Sequence, residues 1–225
     1  MRTLVLATSI AISSCHLQSQ AALQTSYKVH DSKPMKNVSI QIASFDSIAG
    51  LNKIALRKIN SSLIAASDSF SNDAKECGTY AEGHPWGYKL TLEKVLVSEK
   101  YLSVIFDKST VCAGSPDLEK EPLVFSLPNG NLVPARTLFT QTFPAAKLIL
   151  SMSSNKELIR LDEGMAETLI KDSKDLLKIY DSQCEFYLKH ASYRIWADGG
   201  NIILFPEFLQ PESFCQKEYV IQSQH

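Results

Sequence analysis

Four cysteines constrain the fold of this chain more than any other feature. Cys77 and Cys112 bracket one apparent hairpin, and Cys184 and Cys215 bracket another. Pairing within each bracket closes loops of about 30–35 residues, each worth on the order of 3–4 kcal/mol by the chain-entropy estimate. This sequence-local pairing is the expectation, with two other connectivities open. Zinc is the competing use of four cysteines, but neither C-x2-C nor H-x3–5-H spacing occurs.

Disulfides persist where the compartment is oxidising, and the first fifteen residues, MRTLVLATSIAISSC, supply the route there. Arg2 gives a positive start, Thr3–Ile12 an apolar run, and Ser13 and Ser14 the small residues of a cleavage region. Ile12-Ser13-Ser14-Cys15 also resembles a bacterial lipobox. That resemblance implies cleavage before Cys15, lipidation of its thiol, and several acyl chains that together anchor a protein stably. An ordinary signal peptide cut near Gln20-Ala21 is the other reading. Either one removes Cys15 from the disulfide count. The expected organisation is a lipoprotein-type signal over residues 1–14, a lipidated cysteine and flexible tether over 15–34, and one domain over 35–225. The expected location is the bacterial envelope. In an organism with two membranes, His16 stands where the aspartate of an inner-membrane retention signal would, and the lipoprotein pattern then implies the outer membrane, facing the periplasm.

With 23 Lys+Arg against 24 Asp+Glu, the net charge of −1 offers no basic footprint for nucleic acid. No apolar run reaches the 18 or so residues that span a bilayer as a helix. A hydrophobic content of 44% over 225 residues is ample for a packed core.

Periodicity orders the elements. In "NVSIQIAS", Val38, Ile40 and Ile42 alternate with polar residues, as in a half-buried strand. In "DSIAGLNKIALRKINSSLIAASDSF", Leu51, Ala55, Ile59, Leu63, Ala66 and Phe70 form one helical stripe. A turn-rich loop, "CGTYAEGHPWG", leads to "YKLTLEKVLV", whose apolar phase shifts between Leu92 and Val95 and so predicts a bulge. "SEK" turns the chain into "YLSVIFDKSTV", "AGSPDLEKEP" reads as a polar loop, and "LVFSLPNGNLV" as two strands about Asn129-Gly130. Residues 135–180 read as mainly helical, including "PAAKLILSMSSNKELIRL", with Asp162 as an N-cap. "SYRIWADGGNIILFPEF" reads as a hairpin and "KEYVIQ" as a last strand. The expected class is α+β: an antiparallel sheet with hairpins, packed by two or more amphipathic helices.

Three segments together resemble one family. "VSIQIASF" before a helix containing "KINSSL", the strand–glycine–strand–Leu-Phe run "LVFSLPNGNLVPARTLF", and the closing "FYLKHASYRIWADGGNIILFPEF" are similar to the extracellular domain of the anti-sigma factor RsiV. The same domain accompanies the catalytic domain of the peptidoglycan deacetylase PdaC. The resemblance implies a recognition module for a protein such as lysozyme or for cell-wall glycan, without PdaC's catalytic domain. One departure is "STVCAGSPD", where the family has a Gly-Gly-Ala-His-like stretch; this chain has no histidine there.

The constellations with chemical potential are few. His84 in "AEGHPWGY", beside Glu82, Trp86 and Tyr88, is a candidate ligand contact or a candidate base for a hydrolase. Gly83, Pro85 and Gly87 make a simple turn the better reading. Trp196, with Tyr187, Tyr193, Phe205 and Phe208, suggests an aromatic binding face, although strand alternation buries about half of such residues. Asp162-Glu163 and Asp117 with Glu119 are carboxylate pairs better read as cap and loop charges. Sequons at Asn37 and Asn60 matter only in a eukaryotic secretory pathway. G-x-S-x-G, H-E-x-x-H and glycine-rich phosphate loops do not occur. The expectation is a non-catalytic protein with no cofactor or metal, whose partners are a membrane, through its lipid, and a protein or peptidoglycan ligand. A hydrolase near His84 and a structural lipoprotein are the alternatives.

Overall fold

A computed structural model describes residues 24–112, 114, 116–144, 148–150, 158–177, 181–208 and 212–222. The signal region and Cys15 lie outside them. Two five-stranded sheets carry the fold, with one helix on the outer face of the first and shorter helices packed on the second.

The first sheet has the order β1 (Thr25–Ser32), β2 (Val38–Ile48), β3 (Gly87–Val97), β4 (Tyr101–Val111), β5 (Pro116–Ser126). Neighbours pair antiparallel except β2 and β3, which are parallel. A parallel pair needs a crossover, supplied by α1 (Lys53–Tyr80), whose 28 residues extend about 42 Å. Asn52 caps it, its side chain accepting from the amides of Ile54 and Ala55, both at 2.9 Å. The apolar stripe continues past Phe70 to Ala74 and Cys77, all buried. Asn60 fixes α1 on the sheet by exchanging two 2.9 Å hydrogen bonds with the Phe45 backbone. The bulge in β3 falls between Leu92 and Lys94, where the phase shift places it.

Residues 25–32, expected within the tether, form β1. Its side chains are exposed almost throughout, so no alternation marks it; backbone pairing to β2 holds it. β5 likewise occupies most of the segment read as a polar loop. Its charges are cross-strand partners of β4: Glu119 opposite Lys108, and Lys120 opposite Asp107. The strand expected after Asn129-Gly130 is reduced to one bridge, Phe125 to Leu132.

In β4, Leu102 through Phe106 are all buried, and they divide between two cores. Leu102, Val104 and Phe106 pack with α1, while Ile105 packs with the second sheet. Ser103, buried between the sheets, donates to the Ala197 carbonyl at 2.8 Å and accepts from its amide at 3.2 Å.

The second sheet has the order β10 (Tyr219–Gln222), β9 (Asn201–Glu207), β8 (Ser192–Asp198), β7 (Ile159–Leu161), β6 (Leu148–Leu150), all antiparallel. The β8–β9 hairpin turns at Gly199, φ 60°. Leu138 and Phe139 of α2 (Ala135–Thr142), Leu169 of α3 (Glu163–Asp172), Leu177 of α4 (Lys174–Leu177) and Leu188 of α5 (Asp181–His190) share its core. Asp162 caps α3, accepting from Met165 at 2.9 Å. The helical reading of 135–180 gives way at β6 and β7, short strands of which β7 pairs with β8 and β6 with β7; residues 145–147, 151–157 and 178–180 are outside the described set.

Both disulfides form with the sequence-local pairing. Cys77–Cys112 joins the last turn of α1 to the end of β4, Cα to Cα 4.6 Å, and Cys184–Cys215 joins α5 to the turn before β10, 5.5 Å. The class is α+β, with one parallel step among antiparallel pairs.

Candidate functional site

The sequence-predicted contacts His84, Trp86 and Trp196 do not share a site. His84 is exposed in the turn after α1, its amide donating to the Ala81 carbonyl at 2.8 Å. The preceding turn is tight, with Glu82 and Gly83 both at positive φ. Trp86 packs on the last turns of α1, close enough to Gly78 that a Cβ there would sit 2.7 Å from its ring. Trp196 is fully buried in β8, with Lys94 5.3 Å above its ring, and presents no surface to a ligand. The aromatic-face reading likewise loses Tyr193 and Phe205 to the core. β8 and β9 are covered on both faces, so alternation exposes neither set.

What the fold does assemble is a charge network that closes the junction of the two sheets. Arg194, on β8, is 7% exposed. Its Nε donates to Glu207 of β9 at 2.6 Å, and its two terminal nitrogens approach both oxygens of Glu121 of β5 at 2.9 and 3.0 Å. Lys108 reaches Glu119 at 3.0 Å and Glu121 at 3.6 Å. The planar fork of arginine suits this bidentate grip. Burial alone would lower the pKa of Lys108, but Glu119 and Glu121 outweigh it and hold the pKa above its ordinary 10.5. For Arg194, burial again opposes the charge, and Glu121 and Glu207 overcome it. Beside this network, Lys120 bridges Glu93, at the bulge, and Asp107 at 2.6 and 2.7 Å.

Two members of the network, Glu119 and Glu207, line an open cleft of about 490 Å³. Asp117 and Glu119 line it from β5 and Glu207 from β9; Tyr187 and His190 line it from α5, with Phe208 after β9. Tyr187 and Phe208 meet edge to face, ring centres 5.9 Å apart. On the outer side of α5, Phe186 is exposed and lies against His190, 4.9 Å between ring centres. Carboxylates and aromatic rings together line a space that a side chain or a sugar ring could enter. Of the residues singled out in the sequence, Asp117, Glu119, Tyr187 and Phe208 meet here. Arg194, Glu207 and His190 were not singled out: an arginine in a strand reads as a solvent-facing position until its neighbours on both faces are known to be buried. No cluster of histidine, cysteine or acidic residues suited to a metal ion occurs among the described residues, and none of their helices is long and apolar enough to cross a membrane.

No protein-family model matches this chain, and no curated protein matches it. Solved structures do. A member of the DUF3298 family from Bacteroides fragilis NCTC 9343 superposes with a TM-score of 0.50 at 11% identity, over 89% of this chain and 90% of that one. A DUF3298 family protein from Pseudomonas aeruginosa PAO1 gives 0.51 at 12% identity, over 90% and 91%. At such identities the likeness is one of fold, and it extends over nearly the whole of each chain. Neither protein is named for an activity.

Proposed function

We propose that this chain is a non-catalytic recognition domain of the bacterial envelope, lipid-anchored through Cys15, that binds a cationic protein of the lysozyme kind or a cell-wall glycan. The observation that carries this reading is the cleft between β5, α5 and the end of β9. Carboxylates and aromatic rings line it together, and Lys108 and Arg194 hold two of the carboxylates, Glu119 and Glu207, in place. A rigid, acidic, aromatic-walled surface suits the guanidinium and ammonium groups of a basic protein. It equally suits a sugar ring, whose apolar face stacks on aromatics while its hydroxyls meet carboxylates. Lys108 and Arg194 engage Glu119 and Glu207, which favours a fixed binding surface over a proton-shuttling one. The RsiV-like sequence segments point to the same ligand classes.

Calorimetric titration of residues 21–225 with hen egg-white lysozyme, then with soluble peptidoglycan fragments, tests this. Micromolar or tighter binding of one of them is the expected outcome. Lysozyme binding should weaken with added salt, since the attraction is between surface charges, and glycan binding should not. Asp117→Asn combined with Tyr187→Ala should weaken binding of either ligand about tenfold or more in a domain that circular dichroism still shows folded, although the lost packing of Tyr187 on Phe208 lowers its melting temperature. Silence toward both ligands, or binding indifferent to these substitutions, overturns the proposal.

A further inference from the structure

We infer that the end of the domain opposite the cleft is a docking surface for an anionic bilayer. The inference rests on the anchored reading of Cys15 for its biological setting, but on the fold for its geometry.

The chain enters the fold at one defined place. The Gln24 carbonyl accepts from the Ala49 amide at 3.0 Å, so the start of β1 sits beside the loop that leads into α1, three residues from the cap Asn52. Cys15 precedes Gln24 by nine residues, a reach of at most about 30 Å even fully extended. An acyl-anchored Cys15 therefore keeps this end of the domain close to the lipid headgroups.

That end is basic and carries exposed apolar side chains. Lys53, Arg57 and Lys58 project from the first two turns of α1, and all are exposed. Among them Ile54 is 62% exposed, and Leu132, on the neighbouring turn after β5, 47%. These two, with Arg57, Lys58, Ser61 and Ser62, line an open groove of about 480 Å³. Lys100, in the β3–β4 turn, lies at the same end, its carbonyl accepting from Leu127. Acids there include Glu99, beside Lys100, Asp46, which Lys28 meets at 3.4 Å, and Asp198, whose neighbour Ala197 is bonded to Ser103 near the start of β4; against them stand Lys28, Lys53, Arg57, Lys58 and Lys100. The balance is positive.

The placement runs against the helix's own preference. The positive end of a helix dipole favours acids in the first turn, and α1 has none there. Its acids, Asp68, Asp73 and Glu76, lie in its second half. Cations that bring α1 no stability at that position, set around an exposed isoleucine, match a surface of anionic headgroups above acyl chains.

The cleft lies at the far end of the same strand. Asp117 is nine residues before Ser126 along β5, about 30 Å of extended chain. Docking through α1 and the β5 turn thus turns the acidic cleft away from the bilayer, and the surface charge of the lipid repels that end while attracting the other.

The test is flotation of residues 21–225 with vesicles of pure phosphatidylglycerol and of pure phosphatidylcholine. The span holds both cores and both disulfides, so it contains what the fold needs. Binding to phosphatidylglycerol alone, weakened by salt, is expected. Lys53→Glu with Arg57→Glu should lower it at least about thirtyfold, at roughly fivefold for each basic residue lost. The same pair should leave the melting temperature nearly unchanged, because both side chains are exposed and an acid at position 53, in the first turn, suits the helix dipole. Ile54→Ser should lower binding more modestly, and Asp117→Asn should leave it intact. Equal association with both lipids, or binding unaffected by the Lys53/Arg57 pair, overturns the inference. Mass spectrometry of the N-terminal peptide from the intact chain tests the lipid on Cys15 separately, so failure of the anchor and failure of the patch are told apart.

Discussion

Arg194 and Lys108 are cations placed where burial disfavours charge, and each persists because two carboxylates meet it. Glu121 is the carboxylate they share; without it Lys108 keeps Glu119 and Arg194 keeps Glu207, so each buried cation loses one of its two partners. Glu121→Gln, which faces both cations, should therefore destabilise the domain by about 1.5–3 kcal/mol in chemical denaturation, the range for a lost hydrogen bond to a charged group. A loss below about 1 kcal/mol would show that solvent already screens the network. Tyr88 supplies a second residue-scale prediction. Its hydroxyl is buried without a hydrogen-bond partner among the described residues, and Lys108 lies 5.7 Å over its ring. Burial first, then the nearby carboxylates of Asp73, Glu121 and Glu119, raise its pKa above the ordinary 10.0. The unfolded chain releases this proton from about pH 10 and the folded chain holds it, so stability falls as pH rises past that point. Lys108 acts with the same sign: its contribution is complete below pH 10.5 and fades as pH climbs through its raised folded value. Tyr88→Phe should keep or raise the melting temperature at neutral pH, because it deletes an unsatisfied polar atom. It should also flatten the loss of stability above pH 10. A steep alkaline loss that persists in this variant would assign the effect to lysines alone.

At the scale of elements, legibility followed burial asymmetry. α1 was readable because one face is buried and the other wet, and the β3 bulge was readable because one extra residue flips the apolar phase. β1 and β5 were not readable. Exposed on the surface or matched charge to charge across the ladder, they lack the alternation that half-burial imposes, and a strand held by backbone pairing writes little in its side chains. The Asn129-Gly130 turn was located by its residue types, but its packing was not. Gly130 has φ +68° and sits so close to α1 that a Cβ would lie 2.2 Å from the Ala55 carbonyl oxygen. Gly130→Ala combines a left-handed strain with a collision against backbone that cannot step aside. It should cost about 2–4 kcal/mol, read as a drop in denaturation midpoint at unchanged slope. A near-neutral result would mean that the turn can pull away from the helix.

Over the whole molecule, two cores share the first sheet as a common wall, and each has its own disulfide. Cys77–Cys112 clips the α1 side and Cys184–Cys215 the α5 side. Replacing either pair by serines should cost about 3–4 kcal/mol, with the two losses roughly additive because the bridges belong to different cores. Differential calorimetry checks this: one shared transition shifting down for both variants is expected. Two separated transitions would instead show that the halves unfold independently. The same two-ended layout makes the cleft and the basic end opposite poles of one body, although the chain as a whole is almost neutral.

The sequence alone determined the α+β class, the long amphipathic helix, the bulge, the capping of α3, the closing hairpin and the local pairing of the cysteines. Each of these is written in neighbours along the chain: a period, a phase shift, a cap residue, a turn glycine, a short loop to close. Tertiary structure alone decided that the strands divide into two sheets and that β2 and β3 run parallel. It also buried Trp196 and brought Arg194, Lys108 and three glutamates from four strands into one network. Such contacts depend on which surfaces meet across distant segments, and a side chain has the same local signature whether it meets water or another sheet.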